Sequence, residues 1–366
     1  MADQERLYVS TRKGLLTYVR DSSGWKLADM AHRGSPVSMT LPSRDGRTVL
    51  AALNLGHFGV KLHRTEDGGK TWTELQPPRY PKVETAEAAD DKAPSVSAIW
   101  SMTWGGPKGH VWCGTTPGGL FHSRDNGDTW RLVDSLWNHP ERQRWFGGGT
   151  VEPALHSIAV DPRDHKRVAV AVSCGGVWRT FDGGESWSIG SNGMWAEYMP
   201  PDMQGDPVTQ DPHMVVQSPS SPDVFWCQHH NGIFHCTDDL ANWHQVKDVP
   251  VSSFGFAVAV HPRDANTAWF VPADRDQTRV PVEEKIAVTR TRDGGKSFEV
   301  FRDGLPQENA FDLIYRHGLT VDDTGMRLAM GSSTGSLWAS ENGGEAWSLV
   351  SAHLPAIYAV RFASSL

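Results

Sequence analysis

The sequence predicts an all-β fold, a seven-bladed β-propeller whose blades are four-stranded sheets set in a closed ring. Three observations predict it. One turn-forming octad recurs along the chain, each copy sits in the same run of short apolar strands, and the two chain ends supply complementary parts of one further blade.

The octad reads Thr65-Glu-Asp-Gly-Gly-Lys-Thr-Trp72, Ser123-Arg-Asp-Asn-Gly-Asp-Thr-Trp130, Thr180-Phe-Asp-Gly-Gly-Glu-Ser-Trp187 and Thr291-Arg-Asp-Gly-Gly-Lys-Ser-Phe298. Two weaker copies follow the same plan: Ser340 to Trp347 carries Asn342 at the Asp position, and Cys236 to Trp243 keeps Asp238 but has Leu240 in place of a glycine. An eroded seventh copy ends at Trp25. The chemistry is that of a hairpin turn, in which Asp accepts backbone N–H bonds, Gly takes a positive φ and the aromatic opens the next strand. Asp67, Asp125, Asp182 and Asp293 therefore read as turn formers. The terminal aromatics stand 47 to 58 residues apart, a period that signals a repeat architecture.

Blade three shows the common run of elements: an apolar strand at His156 to Val160, a turn at Asp161 to Asp164, a strand from Arg167 to Ser173, a turn at Cys174 to Gly176, then Val177 to Thr180 and the octad. Four strands per repeat make a propeller blade. Six complete blades follow, at roughly 35 to 77, 98 to 136, 154 to 192, 213 to 248, 255 to 305 and 312 to 354. The C-terminus then offers one lone apolar strand, Ile357 to Phe362, while the N-terminus offers three, around Leu7 to Thr11, Leu15 to Val19 and Trp25 to Met30. Together they make blade seven, from about 6–34 plus 357–363, within a single domain over 1–366. Joining first and last strands hides the edges that would otherwise invite aggregation.

Composition agrees with a turn-rich, aromatic-rich chain: 36 Gly, 23 Pro and 16 Trp, with 39% hydrophobic residues. The 43 acidic and 35 basic residues form no long run of either sign, which disfavours a nucleic-acid partner, because phosphate binding needs a clustered basic surface. Neither a basic leader followed by an apolar stretch nor a long apolar run occurs. The expectation is a cytoplasmic protein with no membrane partner. Cys113, Cys174, Cys227 and Cys236 show no paired spacing, so reduced, buried thiols are expected rather than disulfides or a structural zinc site.

The octads resemble the Asp-box, or bacterial neuraminidase repeat, of sialidases and related propellers, over essentially the whole chain. The spacing is similar to that of a bacterial branch described as BNR-repeat glycosyl hydrolases or exo-α-sialidase-like proteins. Similar boxes occur in glycosidases, in sortilin-type receptors and in a photosystem assembly factor, so function must be argued from the site. The resemblance to sialidases implies arginines that bind a substrate carboxylate, for which Arg144, Arg279 and Arg316 are the loop or strand-end candidates. Where sialidases carry a Phe-Arg-Ile-Pro-type motif, this chain reads Tyr8-Val-Ser-Thr-Arg-Lys-Gly14.

In such propellers function gathers on the face where the chain enters the inner strands, opposite the Asp boxes. Loops 78 to 97, 137 to 153 and 193 to 212 are long there, and the segment from Pro272 to Lys285 is expanded; such lengths are usually functional or disordered. Aligning inner strands on their closing turns places His156, His213 and His317 in one slot, with Phe256 in the same slot of blade five. Three imidazoles converging on the axis suit a divalent metal such as Zn, Mn or Fe, or equally an axial channel of hydrogen-bonded histidines and waters. Glu152, Asp211 and His229 are the candidate catalytic residues, with Glu152 and Asp211 a pair of carboxylates from neighbouring loops. Asn54, His57, Arg144, Tyr198, His230, Arg279, Tyr315 and Arg316 are the candidate substrate-binding residues. The functional expectation is a hydrolase or lyase acting on a carbohydrate or other oxygenated small molecule at a His-rich axial pocket. The alternative is a non-catalytic binding or assembly propeller that recognises a protein or glycan.

Overall fold

The computed structural model describes residues 5–81, 94–148 and 151–363. It contains seven antiparallel sheets of four strands each and very little helix, the seven-bladed propeller that the repeats predict. No helix among the described residues is long and apolar enough to cross a membrane. In blade three the strands are Leu155–Val160, Val168–Val172, Gly176–Thr180 and Ser188–Ile189, in order from the axis outward. Val168–Val172 is buried at every position because a blade has a neighbour on each face. That is why it reads as an unbroken apolar run rather than an alternation.

Each seam between neighbouring blades holds its own buried apolar cluster. Leu155, Val170 and Trp178 meet Trp112 of blade two and Trp145 of the loop that follows it, while Ala171 and Val177 on the other face of the same sheet meet Val215, Phe225 and Trp243 of blade four. The pattern repeats around the ring. Indole N–H groups cross the seams to backbone carbonyls, Trp226 to Ala265 at 2.9 Å and Trp269 to Gly343 at 2.8 Å. Arg290, 2% exposed, lies 2.9 Å from both Glu299 of its own blade and Glu345 of the next.

The last sheet is built from both ends of the chain. Ile357–Ala363 lies innermost, followed by Arg6–Thr11, Gly14–Asp21 and Gly24–Ala31. Val9 pairs with Val360 and Arg6 with Ala363, so non-covalent pairing closes the ring.

The octads are turns held by their own side chains. In blade three the Thr180 hydroxyl donates to Asp182 at 2.6 Å and accepts from the Gly184 N–H at 3.0 Å, while Asp182 accepts the Ser186 N–H at 2.9 Å. Gly183 and Gly184 have φ of 82° and 96°. The weaker copy at Cys236 keeps the geometry without glycine: Asp239 and Leu240 have φ of 56° and 64°, a backbone region that disfavours side chains. Of the long loops, residues 82–93 and 149–150 lie outside the described residues. Within 137 to 153, Pro140–Arg144 forms a 3-10 turn, and the Arg142 guanidinium sits 3.4 Å over the Trp137 ring.

Three expectations follow from this architecture. Thr180→Val preserves shape but leaves the buried Gly184 N–H without its acceptor. It should lower unfolding free energy by about 1 to 3 kcal/mol, read as a reduced urea midpoint. Turn hydrogen bonds hold the Asp238 and Asp293 carboxyls down at about 2. Carboxylates lowered in the folded state stabilise it above their unfolded pKa and lose that contribution as pH falls through the folded value. The melting temperature should therefore hold at neutral pH and drop below about pH 4, with Asp293→Asn removing part of the drop; an unchanged acid profile in that variant would contradict the assignment. Deleting the strand Ile357–Ala363 should abolish the single cooperative unfolding transition and promote association, as measured by calorimetry and light scattering.

Candidate functional site

The inner strands begin on one face of the ring, and near those starts the ladder slips. In five blades the pairing of the inner strand with its neighbour skips one residue, Ser38, Trp100, His156, His213 or Tyr358, and in blade five it slips across Phe256 and Ala257. A β-bulge of this kind re-aims the unopposed side chain. Ser38, Trp100, His213, Phe256 and Tyr358 accordingly line an axial cavity of about 1240 Å³. In blade six the 3-10 turn Arg316–Gly318, ahead of Leu319–Val321, brings Arg316 and His317 to the same cavity. The slot that aligns His156, His213 and Phe256 in the sequence is a bulge in their blades, whereas His317, aligned with them, sits in a 3-10 turn.

Asp211 is delivered by a well-tethered loop. The Asp206 side chain accepts from the Val208 N–H at 3.0 Å at the start of the 3-10 turn Pro207–Thr209, and the Gln210 amide donates to the Asp206 carbonyl at 2.7 Å. The next residue, Asp211, is 5% exposed. Its Oδ1 accepts the Cys174 N–H at 3.2 Å, and its Oδ2 lies 3.5 Å from His213 Nε2 and 3.5 Å from His230 Nδ1. His213 Nδ1 is 2.6 Å from the Gly255 carbonyl, and its ring stacks on Phe256 at 4.4 Å. The His230 ring packs edge-on against Tyr198, whose hydroxyl donates to the Thr209 carbonyl at 3.0 Å. Burial alone would raise the Asp211 carboxyl, but the adjacent His213 and His230 imidazoles and the charge of Arg316 hold it well below its ordinary value. Burial draws His213 below its ordinary value despite the opposing pull of Asp211.

Arg316 is 8% exposed. Its Nη2 reaches Ser173 Oγ at 3.4 Å, its Nε has no hydrogen-bond partner, and it makes no ion pair among the described residues. The guanidinium lies 5.0 Å from the Trp100 ring and 5.7 Å from the Phe256 ring. Burial lowers its pKa while the Asp211 charge opposes the shift. Arg279 lines the same cavity, bonded to Asp276 at 2.5 Å. Burying a guanidinium without a carboxylate partner costs several kcal/mol, and Arg316 lines the cavity with no ion pair among the described residues to offset that cost.

Below the cavity lies a second axial space of about 390 Å³, with His317 lining both and His156 and Arg361 lining the lower one. Arg361 donates to His317 Nδ1 at 2.8 Å, and His156 Nδ1 is 2.9 Å from Ser157 Oγ. The Nε2 atoms of both histidines are buried without a hydrogen-bond partner among the described residues. Burial is the main cause holding both imidazoles well below their ordinary value.

The structure thus brings Asp211, His213, His230, Asn54, Tyr198, Arg279, Tyr315, Arg316 and His317 around one cavity. Other sequence candidates stand elsewhere. His156 lines the lower space only, and Glu152 is exposed, with its charge felt at Tyr80 and Arg142. The ring nitrogens of the fully buried His229 each lie 3.1 Å from a backbone N–H, of Asp211 and Asn231, and burial lowers it to about 3. Arg144 is paired with Glu141 and Asp206, and exposed His57 packs on Phe58. The donor atoms that cluster belong to Asp211, His213 and His230, so of the three aligned histidines only His213 is among them. The sequence reading passed over Ser38, Trp100 and Tyr358, although they occupy the same strand-start slot as His213. It also passed over a site role for Cys174, whose turn signal was plain but whose amide contact with Asp211 was not.

No protein-family model and no curated protein sequence matches the chain. Solved structures resemble it in fold. A GH74 xyloglucanase from Xanthomonas campestris is 14% identical with a TM-score of 0.61, and an ancestral GH74 enzyme is 15% identical with a TM-score of 0.58. The matches cover 94% and 89% of this chain but only 52% and 38% of those chains. YCF48 bound to D1 peptide is 14% identical, with 86% of this chain and 82% of that one covered and a TM-score of 0.52. The likeness establishes the propeller fold that glycoside hydrolases and a peptide-binding protein share.

Proposed function

We propose that the protein is a hydrolase or lyase that acts on an anionic, oxygenated small molecule, such as a sugar acid, held in the axial cavity. The observation that carries this reading is a buried carboxylate between two imidazoles, Asp211 with His213 and His230, in the same cavity as Arg316, a buried guanidinium without an ion pair among the described residues. A purely structural role needs neither group buried in this way, since each is costly unless compensated. Arg316 receives the substrate anion, with Arg279 and Tyr315 beside it. The Asp211 cluster faces the reacting carbon–oxygen bond, where a carboxylate and imidazoles serve proton transfer or metal ligation, both acting on a substrate oxygen. Asp276, the other carboxylate lining the cavity, is bonded to Arg279, and Glu152 does not line it. The flanking pair of free carboxylates used by most glycosidases is thus poorly supported, and chemistry centred on Asp211 is favoured.

A second reading is supported by the cavity mouth, where Phe58, Phe146 and Tyr358 are 72%, 38% and 39% exposed. Exposed aromatics suit stacking on a glycan or peptide that is bound and not transformed.

A thermal-shift screen of sugar acids, hydroxy acids, phosphorylated sugars and neutral sugars separates these readings. At least one anionic compound should raise the wild-type melting temperature, and Arg316→Gln should weaken its binding by about tenfold or more. Asp211→Asn should retain binding and lose turnover by about 100-fold or more, followed by NMR of the incubated compound. Stabilisation by neutral sugars alone, undiminished in Arg316→Gln, would refute the anion reading; a bound compound left unchanged by the wild type would favour the binding propeller.

A further inference from the structure

The geometry points to a divalent-metal centre formed by Asp211 Oδ2, His213 Nε2 and His230 Nδ1, with its open coordination positions facing the axial cavity. These three donor atoms all lie within 4.8 Å of one another, and the carboxylate oxygen is 3.5 Å from each imidazole nitrogen. That separation is long for a charge-assisted hydrogen bond, which closes to about 2.7 to 2.9 Å. It matches the edge of a coordination tetrahedron, because metal–ligand bonds of about 2.1 Å place neighbouring ligand atoms about 3.4 Å apart.

Proton placement leads to the same conclusion. His213 Nδ1 sits 2.6 Å from the Gly255 carbonyl, an oxygen that can only accept, so Nδ1 carries the hydrogen. In the neutral ring Nε2 then presents a lone pair to Asp211 Oδ2. Two acceptors facing each other in a buried site repel unless a cation stands between them. A metal-bound histidine whose other N–H donates to a backbone carbonyl is the usual outer-shell arrangement. Asp211 is oriented in the same manner: Oδ1 is occupied by the Cys174 N–H, which leaves Oδ2 for the metal. The Phe256 stack fixes the His213 ring, and the Tyr198 edge supports His230.

Three protein ligands with an open side characterise catalytic rather than structural sites. Two imidazoles and one carboxylate suit Zn²⁺, Fe²⁺ or Mn²⁺. A catalytic use of the metal rests on the function proposed above; metal binding itself does not. A substrate anchored by Arg316 would place an oxygen at the open positions, where the metal polarises it.

The test uses the full chain, stripped with a chelator and titrated with each metal salt alone, iron under anaerobic conditions. Calorimetry and mass-spectrometric metal analysis should find one metal per chain in the wild type. Asp211→Asn and His230→Gln should bind about 100-fold more weakly or not at all, while His156→Ala binds as the wild type does. A cobalt-loaded sample should show visible absorption that is lost in His230→Gln, and circular dichroism of the metal-free variants checks that the fold survives. Absence of binding in the wild type, or equal binding in the ligand variants, overturns the metal centre. Anion-dependent stabilisation that persists without metal would then leave the proposed function standing, whereas metal binding with no anionic ligand would remove that function and keep the metal.

Discussion

Everything in this molecule depends on one constraint: a ring of sheets has to close without a covalent joint. The ladder between Ile357–Ala363 and Arg6–Thr11 closes it. Because each blade packs a different apolar cluster on each face, closure at that one sheet sets the spacing of every seam. The axial cavity is the space this spacing leaves, and residues far apart in sequence, Asn54 and Arg316 for instance, share it.

Within that frame a local irregularity supplies the chemistry. Regular antiparallel pairing would send the inner-strand side chains alternately into the two seams. One extra residue near the start of six of the seven inner strands breaks the alternation, which in blade four releases His213 from the seam and presents it to the cavity. The same device gives Trp100 and Phe256, whose rings flank the Arg316 guanidinium. A shared backbone feature has been given different side chains in different blades, so the blades are alike in architecture and unlike in chemistry.

Most of the fold was legible in the sequence because each blade announces itself locally. The octad is a self-contained turn whose hydrogen bonds lie within a few residues, as with Thr180, Asp182 and Gly184. Complementary chain ends made closure readable too. The site was only partly legible. His213 and His230 were visible as candidates because a strand start and a turn fix their ring position. Their joint approach to Asp211 depends on the bulge at His213 and on the Cys174 amide, and neither leaves a sequence pattern. His156 shares the slot of His213 but turns to the lower axial space, a difference set by packing against Ser157 and blade four. Glu152 looked like a partner of Asp211 because both lie in inter-blade loops, yet loop membership does not determine which way a side chain faces.

The axis has a further consequence for traffic. A propeller ring is open at two ends, and here the two axial spaces are lined differently, with His317 shared by both and Arg361 bonded to it from below. Asp211, His213, His230 and Arg316 line the upper space and not the lower one. A molecule that enters from the loop face meets these polar groups at once, and one that enters from the other end does not.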